Sequence, residues 1–239
     1  MQEQSHSHSQ PPSSDGNTSG VLNDGSILAG ARQAAFETHH ADAPQPQNPP
    51  LYPGSIADFE RRHPERLAQL RNVVRRCARC DKVCALTAES CNACGAHLPL
   101  ELTHSPNVFM GFIYGVGRVG AAPLTISIRD QTPDVLVFDD FMASSPCHLN
   151  AIPTARHIRD WRLLLRSPSE GLALLTQLEE RLWACVRDQF LARPAWRAKF
   201  MSPHASQEPL EALRPHLILG VNYPPSQFQL HVQCIMPPL

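Results

Sequence analysis

Residues 135–153 read Val135-Leu-Val-Phe-Asp-Asp-Phe-Met-Ala-Ser-Ser-Pro-Cys-His-Leu-Asn-Ala-Ile-Pro153. Two apolar runs, Val135–Phe138 and His148–Ile152, flank a polar loop that contains a proline. Runs of this length and composition predict two strands that are consecutive in the chain. Similar patterns predict four further strands: Val108–Val119, Leu124–Ile128, His216–Tyr223 and Phe228–Met236.

The clearest helical pattern follows the predicted strand at His148–Ile152. Ser167-Pro-Ser-Glu170 has the spacing of a capping box with proline in the first turn. Apolar residues then recur at three- and four-residue steps, at Leu172, Leu175, Leu178, Leu182 and Val186. Pro194 is expected to end the helix. Strands, a long helix and then more strands predict an α+β domain with a largely antiparallel sheet.

The composition limits the classes of function. Of 239 residues, 42% are hydrophobic and 18% charged, and the net charge is −1. A chain with this balance has no general positive field with which to hold nucleic acid, although a small anionic ligand needs only a local site. Since no apolar run approaches the roughly 18 residues of a membrane span, and no signal peptide is recognisable, we expect a soluble cytoplasmic or nuclear protein without a membrane partner.

Shifts in composition divide the chain into four segments. Residues 1–53 are rich in polar residues and proline and are expected to be a disordered tail and linker. Residues 54–76 are expected to form a helical lead-in. Residues 77–104 hold the clustered cysteines, and residues 105–239 hold the α+β domain.

The cysteine cluster predicts a metal site. Cys77-Ala-Arg-Cys80 and Cys91-Asn-Ala-Cys94 are two C-x2-C pairs separated by ten residues. Two tight turns that each offer two thiolates suit the tetrahedral geometry of zinc, and four cysteine ligands are typical of a closed structural site. The segment resembles a zinc ribbon, a module that supports a neighbouring domain or binds RNA or a protein partner. Cys84 and His97 remain alternative ligands.

The last predicted strand carries a row of polar side chains. Because side chains alternate along a strand, Gln229, His231 and Gln233 share one face, whereas Leu230 and Val232 take the other. This pattern alone favours the solvent-exposed face of an outer strand over a functional site.

Two blocks together resemble the histidine triad (HIT) family over residues 105–236. The first block runs from strand to loop to strand, with the family's marker residues at Phe138, Asp140, Pro146, His148, Ile152 and Pro153. The second block of the family is His-φ-His-φ-His/Gln, where φ is hydrophobic. Gln229-Leu-His231-Val-Gln233 matches its middle and last positions and has glutamine in place of the first histidine. The resemblance implies a HIT-like antiparallel sheet with a long helix.

The resemblance also implies a chemistry. The middle histidine, His231, would attack the α-phosphate of a nucleotide and form a nucleotidyl-histidine. Catalytic support is implied for His148 and Gln233, and hydrogen bonding to phosphate for Ser226 and Gln229. Asp140 would hold the ribose hydroxyls, with Phe138 and Phe141 beside the base. The substrate would be a dinucleoside polyphosphate, a nucleoside phosphoramidate or a cap-like dinucleotide.

A second function is compatible with the same residues. Glutamine cannot carry a proton to a leaving group, so Gln229 leaves open a non-catalytic nucleotide- or RNA-binding module with a zinc ribbon. Members of the HIT family often dimerise, and the resemblance therefore implies a homodimer.

Overall fold

The computed structural model describes residues 51–119 and 122–238, except for the side chains of residues 119, 122 and 123. The tail predicted for residues 1–53 lies outside the described residues except for its last three. The strands are β1 (Arg71–Arg76), β2 (Val83–Ala85), β3 (Thr103–Pro106), β4 (Arg118–Val119), β5 (Ala122–Pro123), β6 (Ile128–Gln131), β7 (Val135–Asp139), β8 (Cys147–Pro153), β9 (Ile218–Gly220) and β10 (Val232–Met236).

The helices complete the inventory of elements. The α-helices are α1 (Ile56–Arg62), α2 (Val108–Ile113), α3 (Pro168–Val186) and α4 (Pro194–Phe200). Short 3₁₀ helices form at Pro64–Leu70, Trp161–Arg166, Ala205–Gln207 and Leu210–His216, and one π-helical turn forms at Arg187–Leu191. Within the described residues no helix combines the length and the apolar character needed to cross a membrane.

A five-stranded antiparallel sheet forms the centre of the domain, in the order β6-β7-β8-β10-β9. The predicted α+β class with an antiparallel sheet and a long helix is confirmed. The predicted strand at Leu124–Ile128 is displaced, because the observed strand β6 begins only at Ile128.

The two faces of the sheet have different neighbours. Alternate residues of β7, β8 and β10 pack with the buried face of α3 in the main core. The other face of β7 and β8 packs in a smaller cluster with Phe109 and Phe112 of α2. Strand β8 is buried along its whole length. The polar side chains on its α2-facing side, His148 and Asn150, therefore lie inside the protein.

Helix α3 departs from its predicted pattern in three places. Ser167 is the N-cap residue, yet its side chain makes no capping hydrogen bond. Leu172, expected in the core, is 67% exposed. The helix continues past Val186 into the π-helical turn, and Pro194 begins α4 instead of ending α3. Proline suits a first helical turn because it lacks the N–H that would be unpaired there.

Two other predictions about secondary structure were wrong. The apolar run predicted as a strand at Val108–Val119 begins with helix α2, because the side chain of Asn107 accepts a hydrogen bond from the Met110 N–H and caps a helical turn. The lead-in at residues 54–76 is helical through Leu70 but ends in strand β1.

Strand β1 lies at the centre of a second sheet, with the order β2-β1-β3. Both pairs of strands are antiparallel. In the sequence β1 and β3 flank the cysteine cluster, and β2 lies within it. The segment that carries the cysteines has little hydrophobic core of its own, since its buried cluster consists of three cysteines and Leu98.

Leu178 tests the assignment of the buried face of α3. It is fully buried against the sheet, so Leu178→Ala should lower the free energy of unfolding by about 2–5 kcal/mol. Leu172→Ala on the exposed face of the same helix is the matched control and should be close to neutral. Urea unfolding of the two variants measures the difference, and equal losses would contradict the assigned orientation.

Candidate functional site

His231 is held in one defined tautomer. It immediately precedes β10, and its Nδ1 lies 2.8 Å from the Gln229 carbonyl oxygen. A carbonyl oxygen can only accept, so in the neutral ring Nδ1–H is the donor. The lone pair available for attack is then on Nε2, as a nucleophilic imidazole requires.

The surroundings of His231 keep the ring neutral. Its neighbours in the chain, Leu230 and Val232, belong to the main core, so His231 lies on the opposite face of the sheet, against the ring of Phe109 at a centroid distance of 4.9 Å. His231 is 5% exposed. Burial lowers its pKa, although the Gln229 carbonyl and the charge of Asp140 act in the opposite direction.

His148 lies on the same face of the sheet, on β8. The Ser144 N–H donates to its Nδ1 at 3.2 Å, so in the neutral ring the hydrogen is on Nε2. That Nε2 is buried and has no hydrogen-bond partner among the described residues, and it lies 3.8 Å from an Asp140 oxygen. Burial lowers the pKa of His148, against the opposing charge of Asp140. The site therefore contains a buried N–H donor.

Asp140 is fixed by three hydrogen bonds where β7 ends. Its Oδ1 accepts from the Met142 N–H at 2.7 Å, and its Oδ2 accepts from Asn150 Nδ2 at 2.6 Å. Its own N–H donates to the His148 carbonyl. The adjacent Asp139 instead forms a two-pronged ion pair with Arg129. Only Asp140 of the two acids therefore joins the histidines.

The aromatic residues predicted beside a base have different exposure. Phe138 is fully buried and packs on Phe109 and Phe112. In this structure it supports the aromatic cluster from beneath, and its contact with a base stays a prediction. Phe141 is half-buried and stacks on Phe112 at 5.6 Å. Phe141 remains the aromatic candidate for the base.

Gln229 has a structural role that the sequence did not predict. The side chain is fully buried. Its Nε2 donates to the carbonyl oxygens of Pro153 at 2.6 Å and Arg156 at 3.0 Å, and its Oε1 accepts from the Ile158 N–H at 2.9 Å. With both amide hydrogens used inside the protein, Gln229 is not available as a phosphate donor.

Gln233 and Ser226 lie at the edges of this arrangement. Gln233 is half-buried on β10, directly opposite Asn150 of β8 in the strand register. Ser226 is exposed in the loop between β9 and β10. The structure thus brings His231, His148, Asp140 and Gln233 to one face of the sheet. Ser226 lies five residues before His231 in the chain.

Three site residues were missed in the sequence. Asn150 fixes Asp140 and presents a buried Oδ1 that has no partner among the described residues. Ser144 sets the tautomer of His148, and Phe109 packs against His231. Asn150 had a signal, since it is polar within an otherwise apolar strand. Phe109 had none, because its run was interpreted as a strand.

The four-cysteine site closes through two similar turns. In the first, the Cys77 N–H donates to Lys82 O and Asp81 has a φ of 59°; in the second, the Cys91 N–H donates to Ala96 O and Gly95 has a φ of 71°. The positive φ after each second cysteine turns the chain back around the sulfurs. Both C-x2-C pairs therefore point their thiols at a common centre.

The distances between the sulfurs fit a tetrahedral metal ion. Sγ atoms of Cys77 and Cys94 are 3.6 Å apart, as are those of Cys80 and Cys91, and all four lie within 4.8 Å of one another. Zinc–sulfur bonds of about 2.3 Å in a tetrahedron place sulfurs about 3.8 Å apart. Among the described residues these four form the one group of this kind, which excludes Cys84 and His97 from the set.

The charges on the sulfurs also favour a cation. Backbone N–H groups of Ala93 and Cys94 lower the pKa of Cys91 to about 6. The Lys82 N–H acts in the same direction on Cys80, but the neighbouring sulfurs of Cys94 and Cys91 outweigh it and raise the pKa of Cys80 to about 12. Four thiolates this close repel one another unless a positive ion lies between them.

Similarity to known proteins is found only among solved structures. No family model matches the chain, and no curated protein matches it. Among solved structures, the chain is similar to Hnt3 in complex with DNA and guanosine, with 19% identity, a TM-score of 0.35, and coverage of 46% of this chain and 52% of that one. The aprataxin ortholog Hnt3 from Schizosaccharomyces pombe gives 19% identity, a TM-score of 0.36, and coverage of 46% and 50%. The chain spans about half the length of these proteins, so function has to be argued from its own residues.

The buried histidines predict how stability depends on pH. The pKa values of His231 and His148 lie below the ordinary value near 6.5, so the unfolded chain binds more protons than the folded one as the pH falls through that value. The free energy of unfolding should therefore be highest above pH 6.5 and fall toward pH 5.5. His231→Asn, whose amide can still donate to Gln229 O, should show a shallower fall in urea titrations at pH 7.5, 6.5 and 5.5. An equal fall in both proteins would contradict the assignment.

Proposed function

We propose that this protein is a nucleotide hydrolase or nucleotidyltransferase of the HIT type, acting at an α-phosphate through His231. The observation that carries the proposal is the hydrogen bond from His231 Nδ1 to the Gln229 carbonyl oxygen. It leaves the lone pair on Nε2 of a ring whose pKa is lowered by burial. The two sequence blocks that resemble the HIT family support the same residue.

The proposed reaction has two steps. In the first, the Nε2 lone pair forms a bond to the α-phosphorus, and the bond from phosphorus to the leaving oxygen breaks, with its electron pair going to that oxygen. In the second, a water oxygen, or the hydroxyl of another acceptor, bonds to phosphorus and displaces Nε2. The proton lost by the acceptor passes to bulk water, and His231 regains its neutral form.

Other residues would act by hydrogen bonding. His148 has an Nε2–H that is buried without a partner among the described residues, and it is the proposed donor to a phosphoryl or leaving oxygen. Asp140 retains lone pairs for ribose hydroxyls, since each of its oxygens accepts one hydrogen bond from the protein. Gln233 and Ser226 are proposed donors at the phosphate, and Phe141 is proposed beside the base.

The identity of residue 229 bears on the leaving group. Gln229 is buried and carries no transferable proton. A phosphate or nucleotide leaving group, which ionises near pH 6, departs as an anion without protonation, whereas an amine must gain a proton as it leaves. We therefore favour dinucleoside polyphosphates and cap-like dinucleotides over phosphoramidates.

We propose that the ion held by Cys77, Cys80, Cys91 and Cys94 is Zn²⁺ in a structural role. Bound zinc would supply a fixed cross-link between the two turns, in a segment whose buried cluster contains little besides cysteine and Leu98. The segment 77–104 is then a zinc ribbon beside a HIT-like domain at 105–239. RNA or a protein is the proposed partner of the ribbon, a homodimer the proposed assembly, and the cytoplasm or nucleus the proposed location.

Metal analysis tests the zinc proposal. Freshly purified protein should contain about one zinc ion per chain, and Cys77→Ser or Cys94→Ser should lose it and lower the melting temperature. Cys84→Ser and His97→Ala are the matched controls from the same segment and should retain the ion. Protein without bound metal, or loss of metal in either control, would overturn the ligand set.

Replacing His231 tests the proposed chemistry. His231→Ala should lower turnover by several orders of magnitude, because the attacking nitrogen is lost, while nucleotide affinity is largely kept by Asp140 and the aromatic cluster. His204→Ala, at an exposed histidine, should have no effect. Turnover is measured on dinucleoside polyphosphates, capped dinucleotides and nucleoside phosphoramidates.

Two results would change the proposed function. Unchanged turnover in His231→Ala would eliminate the nucleotidyl-histidine mechanism. Nucleotide binding without turnover of any substrate by the wild-type protein would favour the alternative, a binding module in which the buried His231 is a recognition residue.

A further inference from the structure

We propose that Gln229 is a positioning residue for His231, because its side chain secures the loop that orients its own carbonyl oxygen. The consequence for the reaction rate rests on the proposed function, whereas the position of the ring hydrogen does not. Gln229 is fully buried and lies two residues before His231. Its carbonyl oxygen contacts the imidazole, and its side chain acts on the direction of that oxygen.

The direction of the Gln229 carbonyl is fixed within its own peptide group. The other end of this planar group is the Leu230 N–H, which donates to the Ile158 carbonyl. The peptide is trans, so its C=O and N–H point in opposite directions. The contact with Ile158 therefore turns the Gln229 carbonyl toward His231 Nδ1, which lies 2.8 Å away.

The Gln229 side chain holds Ile158 where it can make this contact. Its Oε1 accepts from the Ile158 N–H at 2.9 Å. The N–H and the carbonyl of Ile158 thus both face residues 229 and 230, as they would in a strand ladder, and a side-chain amide supplies one of the two bonds. Ile158 is attached to the segment at two points, and one of these is Gln229.

The amide nitrogen of Gln229 holds the rest of the loop at 153–158. Nε2 donates to the Pro153 carbonyl at 2.6 Å and to the Arg156 carbonyl at 3.0 Å. Without the amide, three main-chain groups of the loop would lose a partner, and buried groups without partners are costly. We expect the loop to move toward other partners and to carry the Ile158 carbonyl away from Leu230.

The ring hydrogen of His231 reports on this arrangement. While the Gln229 carbonyl accepts from Nδ1, the neutral ring keeps its hydrogen there and its lone pair on Nε2. If the carbonyl turns away, Nδ1–H loses its acceptor, and a population with the hydrogen on Nε2 should appear. That population has no lone pair on Nε2 with which to attack phosphorus.

The experiment locates the ring hydrogen. Imidazole ¹⁵N spectra of the full-length protein at pH 7.5, where burial keeps His231 neutral, should show the Nδ1–H form in the wild type. Gln229→Met keeps an unbranched side chain of similar size, removes its three hydrogen bonds, and should give a mixture that contains the Nε2–H form. Turnover should fall by on the order of 10-fold through kcat, with KM little changed.

A second substitution grades the effect. Gln229→Glu retains an acceptor for the Ile158 N–H and loses the donors to the two carbonyls, so it should keep more of the Nδ1–H form than Gln229→Met. Retention of the pure Nδ1–H form in Gln229→Met would overturn the positioning role.

Asn72→Ala is the matched control. Asn72 of β1 is fully buried, accepts from the Phe228 N–H at 2.7 Å and donates to the Pro106 carbonyl at 2.9 Å. It holds the same segment, but through a peptide group two positions before the one that contains the Gln229 carbonyl. Its loss should lower the melting temperature and leave the ring hydrogen on Nδ1. A change as large as in Gln229→Met would overturn the proposal, because the cause would then be general loosening of the segment.

Hydrogen exchange in the wild-type protein decides the question if the Gln229 variants do not fold. The amide hydrogens of Ile158 and Leu230 should exchange slowly and at similar rates, since the two bonds of Ile158 open together. A Leu230 amide that stays protected while the Ile158 amide exchanges much faster would overturn the proposal. Because neither measurement needs substrate, a wild-type protein without turnover but with the expected spectra would overturn the proposed function alone.

Discussion

A buried backbone segment outside regular secondary structure needs partners for its polar groups. The segment from Phe228 to Leu230 finds several of them in side chains from three parts of the chain. Asn72, Asn107 and His157 supply groups to Phe228, and Gln229 binds the loop at 153–158. The one carbonyl turned toward the site accepts from His231. The geometry of the proposed nucleophile therefore depends on how the rest of the protein holds this short segment, which precedes β10.

The same constraint explains the glutamine at position 229. Its amide donates to two carbonyls and accepts from one N–H, which is three hydrogen bonds from one planar group. A neutral imidazole offers one donor and one acceptor and could not replace all three. Glutamine at this position therefore satisfies the loop at 153–158, and its amide carries no transferable proton.

The predictable parts of the protein are those with a local signal. Strands β7 and β8, the long helix and the four-cysteine cluster follow from periodicity and spacing, which are properties of neighbouring residues. The apolar run after Asn107 was interpreted as a strand because a short apolar run looks the same in either state, and a single capping side chain decides between them. Asn72 gave almost no signal, because its role depends on partners that lie far away in the chain.

Of the site residues, His231, His148 and Asp140 were found from the order of marker residues, and the structure places them on one face of the sheet. Phe138 and Gln229 lie near these residues, but their side chains are fully buried. To distinguish a residue that lines the site from one that lies beneath it requires the packing of α2, which the sequence did not provide. The sequence therefore indicated residues that the structure brings together, and it did not indicate which of them are covered by a deeper layer of packing.

Strand β1 has a consequence for how such a protein can change over time. The hydrogen bonds of Asn72 extend in one direction to Ser105 and Pro106 of the cysteine-bearing sheet and in the other to the loop before β10. The cysteine segment therefore cannot be exchanged for an unrelated module at its first and last cysteines without removing support from the opposite end of the chain. Recombination would have to transfer residues 71–106 as a block, and residue 227 would have to be compatible with that block. Two parts that look separable in the sequence must therefore be inherited together.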